Sequence, residues 1–124
     1  METLSEKISD SELEVMRVLW EAGDALPITD LRQALHERKG WEATTVKTLV
    51  QRLVGKGVLE QEKRKVFYYR PLVSESEYSD WALSGMVRRL FRGSAKALVA
   101  TLVQSEGLSD ADIAELRDYF KVEG

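Results

Sequence analysis

Cysteine is absent from the 124 residues, and histidine occurs once, as His36. The first absence excludes disulfides, thiolate redox chemistry and any Cys-based metal site. The second leaves His36 without a strong partner ligand, so it reads as an ordinary residue of a helix surface. No metal or other cofactor is expected. No apolar run approaches the ~20 residues of a membrane span, and no signal-peptide hydrophobic region follows the acidic N-terminus. The expectation is a cytoplasmic protein with no membrane partner. A Gly-rich phosphate loop and a nucleophile-plus-base signature are also missing, which argues against an enzyme.

What is present points to a globular chain. The hydrophobic fraction is 44%, too high for wholesale disorder. The length suits one compact domain, or one domain with a helical extension. The net charge of −3 is unevenly spread. From Arg38 to Arg70 nine basic residues face three acids, a net +6, while the remainder sums to −9. A cationic middle between acidic ends fits a local anion-binding surface on a protein that otherwise avoids indiscriminate adhesion.

At the centre of that segment lies Gly40 to Gly57, GWEATTVKTLVQRLVGKG. At helical spacing, Val46, Leu49, Val50 and Leu53 form one apolar stripe. Thr44, Thr48 and Gln51 point the opposite way, flanked by Lys47 and Arg52. Such a face can lie in a major groove, with hydroxyls and amide at base edges and cations at phosphates. An amphipathic helix with a merely solvated polar face is the alternative. Gly57 suits the position that closes the helix.

Upstream, Met1 to Ile8 reads as a loose arm. Ser9-Asp-Ser-Glu12 is a capping box that opens a helix to about Glu21, with Leu13, Met16 and Trp20 at helical spacing. Trp20 reads as core. Gly23-Asp24 breaks the chain, and Leu26-Pro27-Ile28 suits a short addition to a small sheet, with Pro27 at an edge. Thr29 is expected to cap a helix from Asp30 to about Arg38, with Leu31, Ala34 and Leu35 inward. Trp41 anchors the turn into the next helix. Helix, turn and helix in this order form the helix-turn-helix pattern.

Downstream the period changes. Val58 to Glu62 and Val66 to Arg70 are rich in strand formers, with Lys63-Arg64-Lys65 between them. A solvated turn is one reading of this hairpin. Directly after a candidate recognition helix, it also reads as the wing of a winged helix, touching backbone phosphates. Ser74-Glu-Ser-Glu77 is a second capping box, opening a helix from Glu75 to about Arg92. Helices over Ala95 to Gln104 and from Ser109 through Phe120 follow. These three are amphipathic but too small to close a substantial core by themselves. A second copy related by a two-fold axis is the expected cover, and packing on the N-terminal domain is the alternative. The dimer face is then Tyr78, Trp81, Met86, Leu90, Leu98, Leu102, Ile113, Leu116 and Phe120.

Four stretches carry a family likeness: ISDSELEVMRVLW, the run WEATTVKTLVQRLVGKG from Trp41, YYRPLVS, and LSDADIAELRDYF. With them the chain resembles the penicillinase repressor family of bacterial winged-helix regulators. The resemblance implies a dimeric repressor that binds a palindromic operator, with a cognate sensor or protease as a further partner. Position by position it implies base or phosphate contacts from Thr44, Thr45, Lys47, Thr48 and Arg52, and wing contacts from Lys63, Arg64 and Lys65. Gln51 joins them from the face described above. Two departures stand out. The copper-responsive branch carries a C-terminal cysteine motif, which this chain lacks. The β-lactam branch is cleaved at an Asn-Phe bond, where Thr101-Leu102 aligns here.

The expected fold is mostly α with a small β-hairpin wing. A winged helix-turn-helix domain over residues 1–73 precedes a three-helix dimerisation region over 74–124. The expected function is a sequence-specific DNA-binding repressor. The alternative is a winged-helix protein-interaction module without DNA binding, which would not need three adjacent cations at its tip.

Overall fold

The computed structural model describes residues 8–105 and 107–123, with the side chains of 120–123 excepted. Of the arm expected over Met1 to Ile8, all but Ile8 lies outside the described residues. Ile8 itself is buried in the core, so it belongs to the fold rather than to an arm. The chain divides into two compact units, Met1–Gly85 and Met86–Gly124.

The first unit opens with α1, Asp10–Ala22. Both halves of its capping box are made: Ser9 Oγ accepts from the Glu12 amide at 3.2 Å, and Glu12 Oε1 accepts from the Ser9 amide at 2.8 Å. Strand β1, Leu26–Pro27, leads without a loop into α2, Ile28–Lys39. Here the structure corrects the expected cap. Thr29 lies inside the first turn, and Pro27 is the N-cap, with φ −69°, ψ 155° and no side-chain cap bond. The fixed φ of proline presets the extended entry, so the helix starts one residue before Thr29.

Helix α3, Ala43–Gly55, ends in a left-handed closure at Gly57, φ 81°. The Gly57 amide donates to Val54 O at 3.0 Å and the Val58 amide to Leu53 O at 3.1 Å. This pair of bonds satisfies two carbonyls that a helix end leaves without partners. Strands β2, Leu59–Lys63, and β3, Phe67–Pro71, follow. The sheet is antiparallel in the order β1-β3-β2, pairing Leu26 with Tyr69, and Lys63 with Phe67. Both hairpin strands begin one residue later than their sequence pattern suggests. Lys63 is therefore the last residue of β2, and the turn is Arg64-Lys65-Val66.

Ten apolar side chains of this unit are exposed by 2% or less: Val15, Met16 and Leu19 from α1, Leu31 and Leu35 from α2, Val46, Val50 and Leu53 from α3, with Val58 and Leu59. At roughly 1.5–3 kcal/mol for each fully buried side chain, this cluster dominates the unit's stability. Trp20, Trp41, Tyr78 and Trp81 pack around it, partly buried. The Trp20 indole N–H donates to Val73 O at 2.9 Å, and its ring lies 5.8 Å from that of Tyr78. Helix α4, Glu75–Phe91, begins with the expected second capping box, Ser74 and Glu77 bonding reciprocally at 3.0 Å. The division between units falls within α4.

In the second unit α5 covers Ala95–Ser105 and α6 covers Asp110–Glu123. Ser94 caps the first, accepting from the Ala97 amide at 3.0 Å. Ser109 and Asp112 form a reciprocal box at the second. No described residue from Met86 onward is buried. An apolar cavity of about 260 Å³ lies among Val99, Leu102, Val103, Leu108, Ile113 and Leu116. Among the described residues, no helix is long and apolar enough to cross a membrane.

Candidate nucleic-acid interface

Gly40, at φ 71°, ends α2 and turns the chain towards α3. Its amide donates to His36 O at 2.8 Å, and His36 Nδ1 lies 3.2 Å from Trp41 O. His36 is thus an exposed helix residue that braces the turn. Trp41, half-buried on the core, sets the entry of α3. The stripe Val46, Leu49, Val50 and Leu53 is buried. Helical periodicity then forces Thr44, Thr45, Lys47, Thr48, Gln51 and Arg52 outward, and all six are exposed. The Thr48 hydroxyl donates to Thr44 O at 3.0 Å. Its hydrogen is committed to the helix, so its oxygen lone pair and methyl remain for a base edge. Unlike α1, α4 and α6, α3 has no side-chain cap and no acid in its first turn. Its N-cap is Glu42, whose side chain makes no cap bond.

The cationic segment is less uniform than its sum suggests. Five of its nine cations are paired: Arg38 with Glu21, Lys39 with Glu14 at 3.9 Å, Lys56 with Glu12 at 2.6 Å, Arg64 with Glu62 at 3.1 Å, and Arg70 with Glu60 at 2.6 Å. Among the described residues, Lys47, Arg52, Lys63 and Lys65 make no ion pair, and all are exposed. These four lie on α3 and on the hairpin. Arg64 is held differently from its neighbours. Its guanidinium lies 4.2 Å from the Tyr68 ring centroid, and its hydrogen bond and charge hold the Glu62 carboxyl below the usual range. The hairpin tip thus offers two unpaired lysines and one arginine tied to its own strands.

One contact escapes local reading of the sequence. Glu12, 1% exposed, is both the capping-box acid of α1 and the partner of Lys56, the C-cap residue of α3. Burial pushes its carboxyl up, but hydrogen bonds from Lys56 and Ser9 outweigh burial and hold it below the usual carboxylate range. Lys56 therefore fastens the end of α3 to the start of α1. Among the described residues, Glu12 Oε2 is buried without a hydrogen-bond partner.

The candidate dimer residues fall on both units. Tyr78 and Trp81 pack partly buried on the core of Met1–Gly85. In Met86–Gly124, Met86, Leu98 and Ile113 are half-buried, while Leu90, Leu102 and Leu116 are exposed. The Phe120 side chain lies outside the described residues. Thr101 and Leu102 sit exposed within α5, the Thr101 hydroxyl donating to Ala97 O at 2.9 Å.

The chain is similar to known proteins in sequence and in fold. The family described as penicillinase repressor matches residues 8–121. The penicillinase repressor of Bacillus licheniformis is 32% identical over 111 residues, covering 89% of this chain and 86% of that one. The methicillin resistance regulatory protein MecI of Staphylococcus aureus (strain N315) is 31% identical over 119 residues, covering 95% and 96%. The solution structure of the DNA-binding domain of the repressor BlaI matches 63% of this chain and 94% of its own, at 35% identity and TM-score 0.55. A solution structure of monomeric Bacillus licheniformis BlaI in complex with the blaP half-operator matches at 38% identity and TM-score 0.51, over 57% of this chain and 87% of that one.

Proposed function

The chain belongs to the penicillinase repressor family of DNA-binding repressors rather than to an enzyme family, and we propose that it acts in the cytoplasm as a homodimer on a palindromic operator. The observation that carries this reading is the exposed face of α3 beside the hairpin lysines. A buried stripe holds Thr44, Thr45, Lys47, Thr48, Gln51 and Arg52 outward in one row. In this reading Thr48, Gln51 and Arg52 meet base edges, while Lys47, Lys63 and Lys65 meet phosphates and Arg64 stiffens the wing. The complex of BlaI with the blaP half-operator supports operator DNA as the partner of this chain.

The dimer is proposed on the apolar faces of residues 74–124, with residues 1–73 as the DNA-binding part. Leu90, Leu98, Leu102, Ile113 and Leu116 offer area that one copy leaves open. Met86, half-buried in the same unit, is proposed to join them, as are Phe120, Tyr78 and Trp81 from their sequence pattern. Two copies would set their α3 helices about one DNA turn apart, ~10 base pairs, or a small multiple. A sensor or protease that relieves repression at Thr101-Leu102 would have to unwind α5 locally, because a helical peptide bond does not fit an extended cleft.

The test is an anisotropy titration against a duplex from the region upstream of the protein's own gene. Neutralising about 6–10 phosphates per dimer makes affinity fall by about 10³–10⁵ between 50 and 200 mM salt. Footprinting on the same region should protect two symmetric half-sites. Binding that ignores salt, or a single unpaired footprint, overturns the proposal.

A further inference from the structure

Between α2, α3 and the hairpin strands lies a groove of about 300 Å³. Arg32 of α2, Lys47 and Gln51 of α3, and Gln61, Phe67 and Tyr69 of β2 and β3 line it. Two cations and two amides converge there, and no acid is among the lining residues. Arg32 is partly buried, and its Nε is screened from water. Among the described residues, no acceptor reaches that Nε. The Tyr69 hydroxyl donates to Gln61 Oε1 at 3.1 Å and does not accept from that Nε. Burial holds the pKa of that hydroxyl above its ordinary value, against the smaller lowering effect of the Arg32 charge. That Nε is closed to an oxygen the size of water, so a ligand in the groove would be met by the rest of the Arg32 side chain, which stays partly exposed and lines it.

Resting on the DNA-binding reading above, we propose that Arg32 is a phosphate-binding residue, its groove receiving a phosphodiester oxygen of the duplex that α3 enters. The position follows from the neighbours. α3 occupies the major groove and the hairpin meets the flanking strand, so the backbone between those contacts runs past the mouth of this groove. The chemistry follows from the donors. Arginine offers a planar fork with no acceptor, suited to two phosphate oxygens, and Lys47 adds charge beside it. Helix α2 thereby becomes a third element holding the DNA backbone, through a residue outside both the reading face and the wing.

The experiment uses the full chain, wild type and with Arg32→Met or Arg32→Lys. Each is titrated with the upstream duplex and with a mixed-sequence duplex of equal length, across a salt series. Methionine keeps an apolar stem in the groove, so the fold is retained and thermal unfolding should not fall. Arg32→Met should weaken both duplexes about tenfold or more and flatten the salt slope by about 0.9 for each phosphate no longer neutralised. Arg32→Lys should keep the slope but bind more weakly than wild type, because an ammonium has no fork. An unchanged slope in Arg32→Met, with wild-type binding intact, overturns this inference alone. Failure of the wild type to bind either duplex in low salt overturns the DNA-binding reading and this one with it. Inorganic phosphate at matched ionic strength should not raise the melting temperature of wild type over that of Arg32→Met. If it does, the groove serves free phosphate and the duplex assignment is wrong.

Discussion

Helix α1 carries Asp10, Glu12, Glu14, Arg17 and Glu21 in 13 residues, yet five of its residues are buried. Helix α5 carries Lys96 as its one charge in 11 residues, and buries none. The less polar helix is thus the more exposed one. The difference lies in what surrounds each. α1 packs within Met1–Gly85 against two further helices and a sheet, whereas α5 shares Met86–Gly124 with little more than α6 and the end of α4. Two or three short helices enclose too little volume to remove a side chain from water on every side. Apolar composition states the demand for burial, and only the number of neighbouring elements decides whether one chain meets it.

That contrast can be broken at its strong end first. Leu53→Ala, in the fully buried stripe of α3, should cost about 2–5 kcal/mol in urea unfolding, from forfeited transfer energy and the cavity left behind. A much smaller loss would mean that the core around α3 collapses freely. Next comes Glu12→Ala, which removes half of a capping box and the ion pair that ties Lys56 to α1. It should cost about 2–4 kcal/mol. Acid should do the same to the wild type. The folded Glu12 carboxyl titrates below its ordinary value of 4.5. Its stabilisation is therefore complete above that value and disappears as pH falls through the folded pKa. Wild type should lose stability over that window more steeply than Glu12→Gln, measured by unfolding at stepped pH. Equal slopes would remove Glu12 from the account. The weakest effect belongs to the second unit. Leu90→Ser replaces a side chain that is 68% exposed, and should move the folding stability of a single chain by no more than about 0.5 kcal/mol. Its sedimentation should nonetheless shift towards monomer. If Leu90→Ser unfolds the chain instead, the contrast between units is false.

How far the sequence shows these features depends on how local their causes are. Ser9, Ser74 and Ser109 announce their helices because a capping box closes within four residues. The outward row of α3 is legible for the same reason: about half a helical turn separates Thr48 from Val46 and from Val50. Thr29 misleads, since Thr followed by Asp looks like a cap while the proline two residues earlier already sets the entry. The charge sum misleads more. Arg38, Lys39 and Lys56 add to it on paper but face Glu21, Glu14 and Glu12 across the first unit. Glu12 and Lys56 are 44 residues apart, and Arg32 meets β3 only after the sheet has formed. No spacing rule reaches such pairs.

The three-stranded sheet has two rims, and neither is inviting. On one side β1 is two residues long and finishes in Pro27, which has no amide hydrogen to give. On the other, β2 carries Glu60, Glu62 and Lys63 in five residues, and their charges resist being walled in by a stranger's backbone. A foreign strand meets a proline on one side and charged side chains on the other. Fibrous growth through the sheet is thereby discouraged even where many copies crowd together, and helices remain the surfaces through which this molecule can safely meet its own kind.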